Sequence, residues 1–302
     1  MKNQSNWKHL NPPTEKVDVV LDTDAYNEID DQFAIAHLLK AKDRANLLAL
    51  YAAPFHNARS SGPKDGMEKS YLEIIKLLDL AGENVDVFRG SESWLPDEKT
   101  PVHSAAAEDL VQKAQGYTCE NPLYVVAIGA ITNVASALLI DPSIAEKIVI
   151  VWLGGHALHF HDTKEFNLWQ DVAAARVVMQ SGAAFVQLPC CGVVSSFTVS
   201  GSDLRDWFMG KNPLADYLAR NAIEEAESYA KGRAWTRVIW DAVAVAWLFN
   251  QRSRFMDYRM ERKHLPSYNG QYEITPREDF MAYVYHVKRD ALLNDMIDLI
   301  TK

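Results

Sequence analysis

Residues 17–40 read VDVVLDTDAYNEIDDQFAIAHLLK, and this stretch decides the fold. Val17 to Leu21 is a short apolar run that predicts a buried strand. An acidic turn follows, and Asp31 to Lys42 then carries apolar residues at the spacing of an amphipathic helix. The order of strand, turn and helix is the first step of an alternating pattern.

That alternation continues over the first two-thirds of the chain. Further strands are predicted at residues 46–53, 85–88, 123–128, 148–153 and 184–188, and helices at 67–81, 103–115, 133–140 and 171–180. Two helices are predicted at 212–229 and 237–250, then short strand-like pieces after Met256 and a last helix near 290–300. We therefore predict an α/β fold over one domain, residues 1–302, with a mainly parallel sheet, crossover helices, a Rossmann-like core and additional C-terminal helices.

The composition is that of an ordinary globular protein, with 48% hydrophobic and 24% charged residues. A net charge of −9 argues against binding nucleic acids or anionic membranes through a broad electrostatic field. The three cysteines are an odd number and two are adjacent, so a disulfide framework is not expected. With a polar N-terminus and no long apolar run, we expect a cytoplasmic protein with no membrane span.

The acidic turn carries five acids in the ten positions 22–31. Taken singly, Asp30 and Asp31 fit ordinary acids at a helix N-terminus, and Asp22 and Asp24 fit a solvated loop. Together they are too dense for that, because converging carboxylates repel one another and require a cation. Oxygen ligands without nearby histidine or cysteine pairs favour calcium or magnesium over zinc.

Four polar segments follow predicted strands and should meet at one edge of the sheet, where ligands bind in such folds. These segments are 22–24, 55–57, 129–133 and 154–167. The sequence thus predicts one pocket with the acidic turn in its wall.

Several segments in this order resemble the inosine-uridine preferring nucleoside hydrolase family. Besides the opening Asp-x-Asp and Asp-Asp pairs, they are 127–135 (AIGAITNVA), 151–155 (VWLGG), 165–167 (EFN), 171–175 (DVAAA) and 240–242 (WDA). The resemblance covers residues 17–250 and implies hydrolysis of the N-glycosidic bond of ribonucleosides, with Ca²⁺ as cofactor.

The resemblance also implies roles for individual residues. Asp24 would hold the attacking water and act as general base. The implied calcium ligands are Asp22, Asp24, Asp31, the backbone carbonyl of Thr132, and Asp241. The implied ribose ligands are Asp30, Asn57, Glu165 and Asn167. Taken alone, Thr132 also fits a helix start, and Glu165 and Asn167 also fit a solvated loop.

The sequence departs from the family pattern at two places. Asp24 and Asp30 are six positions apart, two more than in the family, and either Asn27 or Glu28 of this insertion could enter the site. Trp240 stands where inosine-uridine members often carry a histidine. An aromatic residue at this position favours stacking on a purine base, although Trp240 also fits a core position of an apolar helix.

We expect His159, with His156 and His161 nearby in the same loop, to face the pocket, where one of these histidines could serve as the acid for the leaving base. Tyr229 is also expected near the base, with a helix-surface position as the alternative. Cys190 and Cys191 follow a predicted strand and could line the pocket floor, although a packed, unreactive role is favoured.

Two other interpretations stay open. A divergent family member could hydrolyse or bind another ribosyl compound, and a haloacid-dehalogenase-like phosphatase also begins with a strand ending in Asp-x-Asp. Such phosphatases need a later lysine after a strand, and this sequence has no convincing candidate for it. By analogy with the family, we expect a homo-dimer or homo-tetramer whose partner is a small nucleoside.

Overall fold

The core of the protein is an eight-stranded sheet in the order β3-β2-β1-β4-β5-β6-β12-β9. The structure is a computed structural model that describes residues 5–274 and 279–302. The strands of the sheet are β1 (Val17–Thr23), β2 (Ala45–Ala52), β3 (Asp86–Arg89), β4 (Leu123–Ala127), β5 (Ile148–Leu153), β6 (Ala184–Leu188), β9 (Met256–Arg262) and β12 (Phe280–Val287). All neighbouring pairs are parallel except β12 and β9.

Helices lie on both faces of this sheet. They are α1 (Asp30–Lys40), α2 (Pro63–Ala81), α3 (Ala105–Ala114), α4 (Thr132–Ile140), α5 (Phe166–Gln170), α6 (Val172–Gln180), α7 (Gly201–Trp207), α8 (Pro213–Ala230), α9 (Ala242–Trp247) and α10 (Arg289–Ile300). Short 3₁₀ turns occur at Ser5–Leu10, Pro142–Glu146, Val194–Ser196 and Gln251–Ser253. The predicted α/β class, with its mainly parallel sheet and C-terminal helices, is confirmed.

The central strands β4 and β5 are buried along their whole length and carry no charged residue, because both of their faces are covered. Along β4, Tyr124 and Val126 join one apolar cluster, whereas Val125 and Ala127 join the cluster on the other face. Helices α1, α9 and α10 cover the first face, and α3, α4 and α6 cover the second. This alternation fixes the register of each strand and therefore the position of the loop that follows it.

The region after residue 230 differs from its prediction. A single helix was expected at 237–250, but Thr236–Val238 forms β8, which pairs antiparallel with β7 (Thr198–Ser200), and the helix begins only at Ala242. The β-branched residues of Thr236–Val238 favour an extended backbone once a partner strand is present. Trp240 and Asp241 therefore lie in a turn rather than within a helix.

The tail, where short strand-like pieces were expected, contributes two strands to the central sheet, and this placement in the sheet was not predicted. β12 pairs with β6, and β9 pairs with β12, so the chain returns to the sheet after α9. A separate hairpin is formed by β10 (His264–Pro266) and β11 (Tyr272–Ile274). Within the described part of the chain, no helix has both the length and the apolar character needed to cross a bilayer.

Candidate active site

Three carboxylates from distant parts of the chain meet at the edge of the sheet. Asp30 and Asp31 begin α1, and Asp241 lies in the turn before α9; all three are buried, and their oxygens lie within 4.8 Å of one another. Helices α1 and α9 pack against each other, which brings these termini together. Three carboxylate oxygens this close together could hold a divalent cation.

Asp24 completes the acidic group from the end of β1. It is fully buried, and neither of its carboxylate oxygens has a hydrogen-bond partner among the described residues. Gly129, which follows β4, lies so close that a Cβ atom there would be 3.0 Å from the Asp24 carboxyl carbon. The absence of a side chain at residue 129 therefore allows this approach.

Asp22 and Asp31 are each held by a neighbouring polar side chain. Asn133 donates from Nδ2 to Asp22 Oδ1 over 2.7 Å, and Thr23 donates from Oγ1 to Asp31 Oδ1 over 2.5 Å. Asn133 is fixed in turn, since its Oδ1 accepts from the backbone N–H of Ser91 at 2.7 Å. These hydrogen bonds orient the two carboxylates.

Burial dominates the electrostatics of the cluster. Burial, followed by the charges of Asp31 and Asp30, raises the pKa of Asp24 well above its usual range. Burial and the same two neighbours likewise raise the pKa of Asp241. Burial and the charge of Glu28 raise the pKa of Asp30 to about 7, and burial raises that of Asp22 to about 7. A charged cluster at neutral pH therefore needs a compensating cation.

The donor atoms fit a hard divalent cation. Buried oxygens of Asp22, Asp24, Asp30 and Asp241 lack hydrogen-bond partners among the described residues. Leaving such oxygens bare is costly, whereas coordination would satisfy them. An all-carboxylate set is typical of Ca²⁺ or Mg²⁺ rather than of Zn²⁺.

Glu165 and Asn167, at the start of α5, contribute a further part of the site. Glu165 caps α5 and accepts three backbone N–H bonds at 2.8–3.0 Å, from Gly155, Asn167 and Leu168. Asn167 donates from Nδ2 to the carbonyls of Ile128 and Leu153 at 3.2 and 3.1 Å. Both side chains are thus fixed before any ligand arrives.

The two residues added between Asp24 and Asp30 form part of a turn whose side chains reach the site. Asn27 is buried, and its Oδ1 accepts from Asn57 Nδ2 at 2.6 Å. Asn27 thus connects the turn to the loop after β2. Arg237 donates to Glu28 at 2.9 Å and also lies 3.7 Å from Glu225, so the turn is tied to α8 as well.

A cavity of about 210 Å³ lies over these groups. Its lining residues are Asp24, Asn27, Glu28, Asp30, Asp31, Ile128, Leu153, His156, Glu165, Phe166, Asn167, Cys190, Cys191, Trp240 and Asp241. Among the residues that the structure describes, six acids line it and no lysine or arginine does. The cavity thus suits a neutral or cationic ligand better than an anionic one.

Five residues predicted for the site do not line this cavity. The exposed His159 borders a second cavity formed with Gly192 and Arg259, because the loop after β5 turns His156 inward instead. Tyr229 is 61% exposed at the end of α8, and its hydroxyl accepts from Arg237 at 3.3 Å. Both expectations of a base-facing position are therefore corrected for this structure.

Asn57 and Asp22 also lie outside the lining. Asn57 contacts it by donating to Asn27 at 2.6 Å, whereas the buried Asp22 accepts from Asn133 at 2.7 Å. Thr132, expected to offer its carbonyl, is buried, and its hydroxyl donates to Asp171 at 2.7 Å.

Sequence reasoning missed part of the lining. Phe166 lines the cavity and was not anticipated. Glu28, a candidate from the added turn, lines it as well. So do His156 and the vicinal cysteines Cys190 and Cys191, which the sequence allowed but did not single out. Their position directly after β5 and β6 was the available signal, because loops after parallel strands surround the ligand. Burial raises the pKa of both thiols, so they are neutral and remain poor nucleophiles.

Comparison with known proteins gives consistent results. Residues 19–275 match the family described as "Inosine-uridine preferring nucleoside hydrolase". Over 160 residues, the chain is 27% identical to "Probable uridine nucleosidase 2" of Arabidopsis thaliana, covering 52% of this chain and 49% of that protein. It is also 27% identical to "Pyrimidine-specific ribonucleoside hydrolase RihA" of Salmonella typhimurium, covering 51% and 50%. The matched stretch thus spans about half the length of these curated relatives.

The fold itself is shared over nearly the whole chain. The solved structure of "Purine-Preferring Ribonucleoside Hydrolase from Gardnerella vaginalis" superposes with a TM-score of 0.73 at 19% identity, covering 94% of this chain and 98% of that one. The haloacid-dehalogenase-like alternative is not supported by these matches. Since the family match extends over most of the sequence, the chain belongs to the inosine-uridine preferring nucleoside hydrolase family.

Proposed function

We propose that this protein hydrolyses the N-glycosidic bond of ribonucleosides, releasing ribose and the free base, with Ca²⁺ as cofactor. The observation that carries the proposal is the buried meeting of Asp30, Asp31 and Asp241 beneath a cavity lined by acids. Family membership supports the same reaction.

Asp31 and Asp241 are assigned as the principal ligands of the cation, with Asp22, Asp24 and the carbonyl of Thr132 beside them. When bound, the cation neutralises these carboxylates and makes a water molecule a stronger acid. Calcium fits the oxygen-only donors, and its flexible coordination tolerates ligands from several segments.

Asp24 is assigned as the general base. Its two buried oxygens are free to accept a proton from water, and a carboxylate whose pKa is raised by burial is a better base than an exposed one. The water oxygen forms the new bond to C1′, and the bond from C1′ to the base nitrogen breaks. Positive charge that develops on the sugar ring is favoured by the surrounding acids.

Ribose is assigned to Asp30, Glu165, Asn167 and, through Asn27, Asn57. Each of these side chains is buried or hydrogen-bonded into the wall. A 2′-deoxy sugar would leave one of these polar groups without its partner, which costs on the order of 1–3 kcal/mol. We therefore expect discrimination against deoxyribonucleosides.

For the base we favour a purine, because the indole of Trp240 lines the cavity and offers a large stacking surface. The printed names of relatives include both pyrimidine-specific and purine-preferring enzymes, so this preference rests on Trp240. A second candidate, hydrolysis of another ribosyl compound, is favoured by the added residues Asn27 and Glu28, which narrow the site with side chains of their own.

We further infer that residues 1–302 form a single domain, and that the protein is cytoplasmic and assembles as a homo-dimer or homo-tetramer. Pairing of the late strand β12 with β6 supports the single domain. The acidic cavity and the net charge of −9 support a small-molecule partner over a nucleic acid or a membrane.

The test is release of free ribose from inosine, guanosine, adenosine, uridine and cytidine, with and without a chelator. We expect ribose from at least one purine nucleoside, abolished by chelation and restored by Ca²⁺. Asp24→Asn should reduce the rate at least 100-fold, in line with the usual contribution of a general base.

Asp18→Asn is the matched control, because Asp18 lies at the other end of β1 and binds Asn46 and Tyr117. Its rate should stay within about threefold of the wild type. Equal rates for Asp24→Asn and the wild type, or no ribose from any nucleoside, would contradict the proposal.

A further inference from the structure

A nucleobase leaves more readily when it is protonated, and none of the residues assigned so far donates a proton to it. When the bond between C1′ and nitrogen breaks, its electron pair stays on the base, and a donated proton makes the base a better leaving group. The residue before Asp241 is Trp240, whose indole has no readily lost proton. A donor must therefore come from elsewhere in the cavity.

Most of the lining is already committed. Both oxygens of Glu165 accept backbone N–H bonds, three in all, and Glu28 pairs with Arg237 at 2.9 Å. Burial raises the pKa of the Cys190 and Cys191 thiols, which makes them weaker acids. The lining aspartates are already assigned, Asp24, Asp31 and Asp241 to the cation and the attacking water and Asp30 to ribose.

His156 is the one imidazole lining the cavity among residues 5–274 and 279–302. Its Nδ1 is buried and has no hydrogen-bond partner among those residues. A buried imidazole nitrogen without a partner is costly in an apo site and becomes useful when a ligand supplies the partner. Imidazole is also the side chain that most readily gives up a proton near neutral pH.

The main chain around His156 is fixed, while its ring is free to act. The carbonyl of Gly155 accepts from the Cys190 N–H at 2.8 Å, and the N–H of Ala157 donates to the Cys191 carbonyl at 3.0 Å. The carbonyl of His156 accepts from the Tyr272 hydroxyl at 3.0 Å. The ring packs beside Phe160, with centroids 5.2 Å apart. A positioned backbone with an unpaired ring nitrogen is what a proton donor requires.

We propose that His156 donates a proton to the leaving base; this rests on the proposed function. The imidazolium proton passes to the base nitrogen as the bond to C1′ breaks, while Asp24 takes a proton from the attacking water. The hydroxyl from water remains on C1′. Asp24 then releases its proton to solvent and His156 takes one up, so the net reaction consumes one water.

The experiment compares two substrates that differ in their need for a proton. Inosine needs protonation of its base, whereas 4-nitrophenyl β-ribofuranoside releases a stable anion unaided. For His156→Asn, we expect kcat/KM for inosine to fall at least 100-fold, within the range for general acids, and that for the nitrophenyl riboside to change less than threefold. His159→Asn is the matched control from the same loop, with both rates unchanged.

The pair of substrates separates the possible failures. A parallel loss on both substrates would make His156 a structural or sugar-binding residue, and unchanged rates on both would leave protonation to another group; either overturns the inference. Wild-type protein that cleaves neither substrate, with Ca²⁺ present, would overturn the proposed function and this inference with it. Retained cleavage of the nitrophenyl riboside also shows that the variant is folded.

Discussion

Replacing Gly129 by alanine tests whether the position of Asp24 matters for catalysis. The added Cβ would lie 3.0 Å from the Asp24 carboxyl carbon and Oδ1, and 3.2 Å from the Cβ of Ala53. Ordinary contacts are about 3.5–4.0 Å, so the carboxylate must move by roughly 0.5 Å. Since a displacement of about 1 Å can cost about 100-fold in rate, we expect kcat/KM for a ribonucleoside to fall about tenfold.

Stability should change as well, because the site is closely packed. Inserting a methyl group into such a site typically costs about 1–3 kcal/mol, which thermal unfolding would register as a lower Tm. Gly116→Ala is the matched control, because its nearest neighbour, the Lys113 carbonyl oxygen, would lie at an ordinary 3.5 Å. A Gly129→Ala enzyme with wild-type kcat/KM would refute the claim that Asp24 acts from this position.

Two further predictions concern the base and the fold. Trp240→Ala should raise KM for a purine nucleoside about tenfold, because it removes stacking worth about 1.4 kcal/mol. Trp240→Phe keeps an aromatic ring and should retain most of the affinity. An enzyme that prefers uridine and is unaffected by both changes would contradict the stacking role. Burial raises the pKa of Asp295, but hydrogen bonds from His37 and Arg44 outweigh burial and lower this pKa to about 2. The carboxylate therefore stabilises the fold fully above its unfolded pKa near 3.8, and this contribution is lost as the pH falls toward 2. Asp295→Asn should therefore lower the free energy of unfolding, measured in urea, by about 2 kcal/mol at pH 7 and by about 1 kcal/mol at pH 3. An equal loss at both pH values would speak against the ion pair.

The alternation of strand and helix was predictable because the central strands are buried on both faces. Such strands appear as continuous apolar runs, as in residues 148–153, where the observed bounds Ile148–Leu153 equal the predicted ones. The helix predicted to end at residue 81 does end there, and Gly82 follows it with a φ of +67°, a conformation that glycine adopts readily. Local sequence determines these features.

Prediction failed where distant partners determine the backbone. Val238 and its neighbours have apolar residues that suit a helix as well as a strand, and only pairing with β7 selects the strand. The same holds for Phe280–Val287, which becomes a central strand because β6 offers a free edge. Short apolar runs do not reveal such partners.

The site was predictable at the ends of strands and less so within loops. Asp24 and Asp31 flank the first turn of the chain, where spacing alone limits their positions. Which of the histidines at 156, 159 and 161 faces the cavity depends on the path of the loop, and that path is set by contacts with the 190–192 segment. Periodicity does not apply to such loops.

Calorimetric titration of the metal-free protein with Ca²⁺ tests most directly whether Asp31 and Asp241 hold one cation together. We predict one site per chain in the wild type and at least a 100-fold weaker Kd in both Asp31→Asn and Asp241→Asn, with Asp18→Asn unchanged. Wild-type affinity in either of the two site variants, or no saturable binding by the wild type, would contradict the account.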